Sequence, residues 1–417
     1  MGYIGTSRRR FLIAGAASAL APPSWTSWAA QSISATGTII TFKYKAADSA
    51  LTDLRRRLDQ TRWPEHETGT GWEQGPPLSS MRTLVDYWRS GYDWRKCEAE
   101  LSSWPQFRTQ LDGLGIHFIH VRSRHANALP IILTHGWPST ILLFRHVIGP
   151  LTDPTAHGGS AADAFNVVVP SLPGFAFSDK PAQRGWNADR VARAWGTLMH
   201  QLGYSRYVAQ GGDWGAFVTT AMAQQKAPGL AAIHLNFAQT IPDVIPTQLE
   251  PDQKRAVQAL NAYREKGSAY AQLQSTRSQL AGYVLADSPA AQAAWIYDIF
   301  NFGTGVTGRP EDALSRDDML DEITLFWLTN TAASSARIYL EQAELIGKRN
   351  NPGRVDLPVG VSVFPHDLPP ARSWAPRVYP QLVYWNELDR GGHFAALEVP
   401  ELFTEELRRC FHSFRNA

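Results

Sequence analysis

The run Gly211-Gly212-Asp213-Trp214-Gly215 follows a short stretch of β-branched and small residues and precedes a helical pattern. Glycines two before and two after a central residue suit a sharp strand-to-helix turn, which pushes the central side chain into the open. Serine or cysteine is usual at such a position; this chain has Asp213. Alone the pattern is weak, and it favours an aspartate that merely caps a helix in a Gly-rich loop. Its candidate partners come later in the chain. His393 lies in Gly391-Gly392-His393-Phe394, after the last predicted strand, where a general base would stand. Asp367 lies in Pro365-His366-Asp367, the loop after the preceding strand, where an acid that orients the histidine belongs. Glu387 and Asp389 are nearer to His393 in sequence but on the wrong side of the last strand, and read as solvent-facing charges. His135-Gly136-Trp137-Pro138 closes another strand, and the backbone N–H groups of Trp137 and Trp214 are the expected donors of an oxyanion hole.

A carboxylate nucleophile is ionised at neutral pH and attacks without a base. Displacement at a saturated carbon gives an alkyl ester of the protein, whose carbonyl is the aspartate's own. Water must then attack that carbonyl, with His393 as base and Asp367 holding it. The leaving group decides the substrate. A halide leaves without a proton, whereas an opening epoxide leaves as an alkoxide and needs an acid, for which phenols of pKa about 10 are suited. Tyr263, Tyr270, Tyr283, Tyr297 and Tyr339 are candidates in the helical stretch described below, and side-chain chemistry alone does not choose among them.

The elements that must hold these residues read as an α/β alternation. Ile116–Arg122, Leu129–Thr134, Ala164–Pro170 and Tyr207–Gly211 are short β-branched runs ending in Gly or Pro clusters. Ala231–Phe237, Val359–Phe364 and Gln381–Trp385 would extend the same sheet. Helical periodicity is clearest over Ala188–Leu202, with Val191, Trp195, Leu198 and Met199 on one side. Strands alternating with helices predict a mostly parallel sheet with helices on both faces, an α/β fold of the hydrolase type. Core segments at 114–238 and 352–417 would be interrupted by a helical lid at 239–351. Residues 37–113, rich in Trp, Arg and Pro, read as an extended arm with one or two helices wrapped over the core.

Composition narrows the partners. The 40 basic and 38 acidic residues leave a net charge of +2, which argues against nucleic acid or an acidic membrane surface. Cys97 and Cys410 read as separate thiols, and His117 and His120 as hydrogen-bonded core-edge residues without ligand spacing, so no metal or cofactor is expected. Ser7-Arg8-Arg9-Arg10-Phe11-Leu12, the apolar run Ile13–Ala21 and small residues at Ser27, Ala29 and Ala30 resemble a twin-arginine export signal over 1–30. That predicts an exported protein, periplasmic or extracellular, without a stable membrane anchor.

From about Thr41 onward the chain resembles the epoxide hydrolases of the microsomal and juvenile-hormone type. The resemblance is carried by Thr61-Arg62-Trp63-Pro64, Tyr87-Trp88, Asp93-Trp94-Arg95 and Leu114–Val121 in the arm, and by His135–Pro138, Gly211–Gly215 and Gly391–Ala396 in the core. It implies opening of an apolar small-molecule epoxide to a diol, with water as co-substrate. It also selects the proton donors: Tyr270, after Gly267-Ser268-Ala269, and Tyr339, after Ser334-Ser335-Ala336-Arg337-Ile338. Asp367 falls on the family's acid position, where microsomal relatives often have Glu. Haloalkane dehalogenase, which shares the Asp-Trp pair, and a silent binding protein on the same fold are the competing readings.

Overall fold

The computed structural model describes residues 37–306, 308–346 and 353–415. The expected export signal at 1–30 lies outside the described residues. Nine strands form one sheet in the order β1-β2-β3-β5-β4-β6-β7-β8-β9. They are β1 (Ile40–Thr41), β2 (Gln106–Leu111), β3 (Leu114–Val121), β4 (Leu129–Thr134), β5 (Phe165–Pro170), β6 (Tyr207–Gly211), β7 (Leu230–Leu235), β8 (Val359–Val363) and β9 (Leu382–Glu387). Pairs among β5, β4, β6, β7, β8 and β9 are parallel, while β1, β2 and β3 add an antiparallel edge. The central strands are buried along nearly their whole length, as a sheet covered on both faces requires. This is the α/β-hydrolase fold.

The arm departs from expectation in two respects. It holds three α-helices, Asp48–Asp59, Leu78–Ser90 and Trp94–Ser103, where one or two were expected. Each buries a stripe, for example Met81, Leu84, Val85 and Trp88 in the second. The arm also supplies β2, which pairs in register with β3 from Gln106↔Ile119 to Leu111↔Leu114. The two-residue connection is Asp112-Gly113, with φ 49° and 78° at its two positions. An Asp-Gly pair adopting positive φ twice matches the right-handed twist of the flanking strands.

Among the described residues five α-helices lie between β7 and β8: Pro251–Ala262, Ala269–Asp287, Pro289–Thr304, Arg316–Thr329 and Ala332–Ile346. The arm grips the fourth. Trp88 Nε1 donates to Thr324 Oγ1 at 2.9 Å, Tyr87 to Asp317 at 2.7 Å, and Arg145 of the core pairs with Asp318 at 3.2 Å and with Asp321. The arm therefore anchors the helical block above the strand ends. Cys97 and Cys410 are each buried and free. His117 bonds Ser171 and Gln106, and His120 bonds Tyr204. Among the described residues no helix is long and apolar enough to cross a membrane, and no acidic, His or Cys cluster could hold a metal.

Candidate active site

β6 ends at Gly211 and the helix Trp214–Gln224 begins three residues later, so the chain reverses direction within two residues. Only glycine fits on either side. A Cβ at Gly211 would lie 2.1 Å from the Gly215 carbonyl oxygen, and one at Gly215 would lie 1.8 Å from that of Thr134. Asp213 occupies the apex at φ 50°, ψ −127°, a strained backbone for a residue with a side chain. Its carboxylate makes no capping bond to the helix. The helix-cap reading of this aspartate therefore fails, and the side chain is free to face other groups.

Those groups arrive from three other loops. After β4, the Trp137 N–H donates to Asp213 Oδ1 at 2.8 Å. After β9, His393 Nε2 lies 3.5 Å from Asp213 Oδ2. After β8, Asp367 Oδ1 accepts from His393 Nδ1 at 2.9 Å. The last contact is held by backbone: His366 pairs with Gly392, and the His393 N–H donates to the Gly303 carbonyl at 2.8 Å. Of the two expected oxyanion donors, Trp137 alone makes a hydrogen bond to Asp213 among the described residues. Trp214 opens its helix, where an N–H has no partner within the helix.

Burial works against a charged His393, but the Asp367 and Asp213 carboxylates and the hydrogen bonds to them outweigh it. The imidazole is held well above the usual histidine range. A further carboxyl, Glu398, accepts from the Phe394 N–H at 2.8 Å, and burial raises it to about 7.

Tyr270 and Tyr339 face the same space from the helices Ala269–Asp287 and Ala332–Ile346. Tyr270 stacks on Trp137 at 5.4 Å between centroids, and Tyr339 meets Trp214 edge-on at 4.7 Å. The two phenol rings are 5.9 Å apart. Burial raises both hydroxyls well above 10, so both keep their protons at neutral pH. The Tyr339 hydroxyl meets the Trp214 and Tyr270 side chains only in poor hydrogen-bond geometry, and Tyr270 accepts a hydrogen bond from Tyr263 at 3.2 Å. Tyr263 is thus a third phenol of the site, one that spacing did not single out. Of the other lid tyrosines, Tyr283 is 70% exposed and Tyr297 is tied to Glu311 at 2.8 Å.

A cavity of about 680 Å³ opens in front of Asp213, within the range of small-molecule pockets. Phe237, Ile299, Phe302 and Leu368 give it an apolar wall. Glu387, the last residue of β9 and not beyond that strand as expected, lies at its exposed side in a 3.2 Å ion pair with Arg255. Asp389 is exposed. The wall of the cavity brings together the Asp213 carboxylate, the Tyr263 and Tyr270 phenols and the His393 imidazole.

Residues 39–144 match the family model described as epoxide hydrolase N terminus, and residues 130–324 match that of the alpha/beta hydrolase fold. A Stigmatella aurantiaca protein named "Putative epoxide hydrolase" is 59% identical over 90% of this chain and 86% of its own length. Epoxide hydrolase 1 of Sus scrofa is 32% identical over 88% of this chain and 87% of its own. The crystal structure of the juvenile hormone epoxide hydrolase of Bombyx mori superposes with a TM-score of 0.82 at 26% identity, covering 91% of this chain and 95% of that one.

Proposed function

Since the chain belongs to the epoxide hydrolase family and is thereby a hydrolase of epoxide ether bonds, we propose that Asp213 opens the epoxide and His393 hydrolyses the ester formed. One observation carries this reading: the Asp213 carboxylate stands between the Trp137 N–H and the His393 imidazole. The N–H occupies Oδ1, which leaves Oδ2 as the attacking atom. Oδ2 bonds a ring carbon, the ring C–O bond breaks, and the epoxide oxygen takes a proton from Tyr270 or Tyr339. Forming the ester removes the charge of Asp213. Burial then weighs more heavily against a protonated His393, so the imidazole becomes a base when water must be activated.

In the second half-reaction water adds to Cγ of Asp213 and gives a proton to His393, with Asp367 supporting the charged ring. The Trp137 N–H, joined by that of Trp214, receives the oxyanion on Oδ1. The Cγ–O bond to the alkyl group then breaks, the diol leaves with the proton from His393, and the second water proton passes from the Asp213 carboxyl through solvent to the phenolate left by the first step. The apolar wall of Phe237, Ile299, Phe302 and Leu368 favours an apolar epoxide. The paired arginines and apolar run near the N-terminus support export, checked by comparing periplasmic and cytoplasmic fractions of a producing cell.

The test is one turnover in ¹⁸O-water with enzyme in excess, followed by mass analysis of the diol and the Asp213 peptide. The expected result is an unlabelled diol and ¹⁸O in the Asp213 carboxylate. Label in the diol with none in the peptide would rule out the ester.

A further inference from the structure

Ester hydrolysis needs a water that the bound alkyl group does not displace, and the large cavity in front of Asp213 is where that group stands. A second cavity lies behind the carboxylate. It measures about 20 Å³, and its walls include Asp213, His393, Gln210, Asn236, Phe394 and Ala396. One water needs roughly 10–15 Å³ on this measure, together with two to four polar partners.

Gln210 is 1% exposed, on the strand that ends in the Asp213 turn. Its Nε2 donates to Asn236 Oδ1 at 2.8 Å. Its Oε1 is buried and makes no hydrogen bond. A buried acceptor without a donor is unfavourable, and a bound donor relieves that cost.

We propose that Gln210 and His393 together hold the hydrolytic water in this rear cavity, an assignment that rests on Asp213 forming the ester. Water has two protons to give. One goes to Gln210 Oε1 and the other to His393 Nε2, which turns a lone pair of the water oxygen toward Asp213 Cγ. As that oxygen bonds Cγ, the proton on the His393 side transfers to Nε2. The tetrahedral centre then expels the diol oxygen, which takes that proton from His393, and Asp213 keeps one oxygen of the water. Substrate enters from the front and water attacks from behind, so the alkyl group bound to Asp213 need not make room for the water.

The experiment resolves the two half-reactions by rapid quench and intact-protein mass, using a styrene-type epoxide on wild type, Gln210→Met, Ala396→Val and His393→Gln. Gln210→Met keeps the side-chain length and removes the acceptor. Ala396→Val fills the cavity and leaves the polar groups in place. Both are expected to alkylate within about threefold of wild type and to hydrolyse the ester at least ~10-fold more slowly, the equivalent of one hydrogen bond. The adduct should therefore accumulate. Equal slowing of both steps, or hydrolysis at the wild-type rate in either folded variant, overturns the assignment of the water. No adduct even in His393→Gln overturns the ester itself and the water site with it.

Discussion

Trp137 and Asp213 meet through a single backbone bond, N–H to Oδ1 at 2.8 Å, and that bond sets the direction of the whole site. It ties one carboxylate oxygen to the loop after β4 and leaves the other toward His393, 3.5 Å away. Residue 136 must come close for this to happen: a Cβ there would lie 2.2 Å from Asp213 Oδ1.

Gly136→Ala should therefore harm catalysis more than folding. The added methyl has no room while the Trp137 N–H keeps its bond, so the carboxylate must swing aside. A displacement of about 1 Å at a reacting group costs on the order of 100-fold. We expect kcat/KM to fall by at least ~100-fold, with cooperative thermal unfolding retained. A variant within threefold of wild type would show that the position of Oδ1 is not critical.

Tyr339→Phe separates activity from stability in the opposite sense. The buried hydroxyl meets only the Trp214 and Tyr270 side chains, in poor hydrogen-bond geometry, so its desolvation cost is little repaid on folding. Its removal should leave stability unchanged or raise it by about 1 kcal/mol, read by urea denaturation. Alkylation, followed by stopped-flow Trp fluorescence, should nevertheless slow by ~10-fold or more, because one of the two acids facing the epoxide is gone. A loss of stability with alkylation unchanged would reverse the role given to Tyr339.

Glu398→Gln probes the carboxyl beside His393. Burial raises Glu398 to about 7, above its unfolded value near 4.5. Its contribution to stability is thus full below pH 4.5 and is lost as pH rises through 7. Glutamine keeps an acceptor for the Phe394 N–H and never ionises. At pH 8 the variant should be more stable than wild type by up to ~3 kcal/mol, and at pH 5 the two should converge. Without that negative charge His393 should also lose its proton more readily, moving the acid limb of the hydrolysis rate to lower pH. Unfolding free energies that differ by the same amount at both pH values would contradict the ionisation of Glu398.

How much of this was legible in the sequence follows from what each residue depends on. Asp213, His393 and Asp367 sit at strand ends, and the order of strands fixes the order of their loops; chain order therefore sufficed. β4 and β6 were readable to the residue, because buried parallel strands are short apolar runs. β2 was missed, although Asp112-Gly113 marks its hairpin, because Gln106–Leu111 carries Arg and two Gln within the strand. The phenols were another matter. Which tyrosines converge depends on how lid helices cross, so Tyr270 and Tyr339 were selected by resemblance, and Tyr263, one of five candidates in the sequence, was placed at the site by the coordinates. The unpaired Gln210 Oε1 is a property of packing in three dimensions and leaves no trace in residue order.

Buried titratable groups elsewhere set the pH range of the fold itself. Burial depresses His117 well below its usual value, His120 and His135 to about 4, and His234 to about 3. Unfolded histidines near 6.5 bind protons that these four refuse, so their stability is present above 6.5 and is lost as pH falls toward 4. Glu322, raised by burial to about 8, and Glu398 act oppositely, losing stability as pH rises from 4.5. Between 4.5 and 6.5 four histidines less two glutamates leave about two protons, a net that Asp298 and Asp321, also raised by burial, reduce toward the acid end, so acid destabilises at up to ~2.7 kcal/mol per pH unit. Above 6.5 the histidines have finished titrating, while the glutamates and the raised His393 still lose stability. Stability should therefore peak near pH 6.5 and fall on both sides, measured by urea unfolding from pH 4.5 to 8.5. Replacing His234, whose Nε2 bonds Ser362 at 2.8 Å, with Gln should lower the acid-side slope by about one proton. A slope unchanged in that variant would mean that His234 takes up its proton within the folded state.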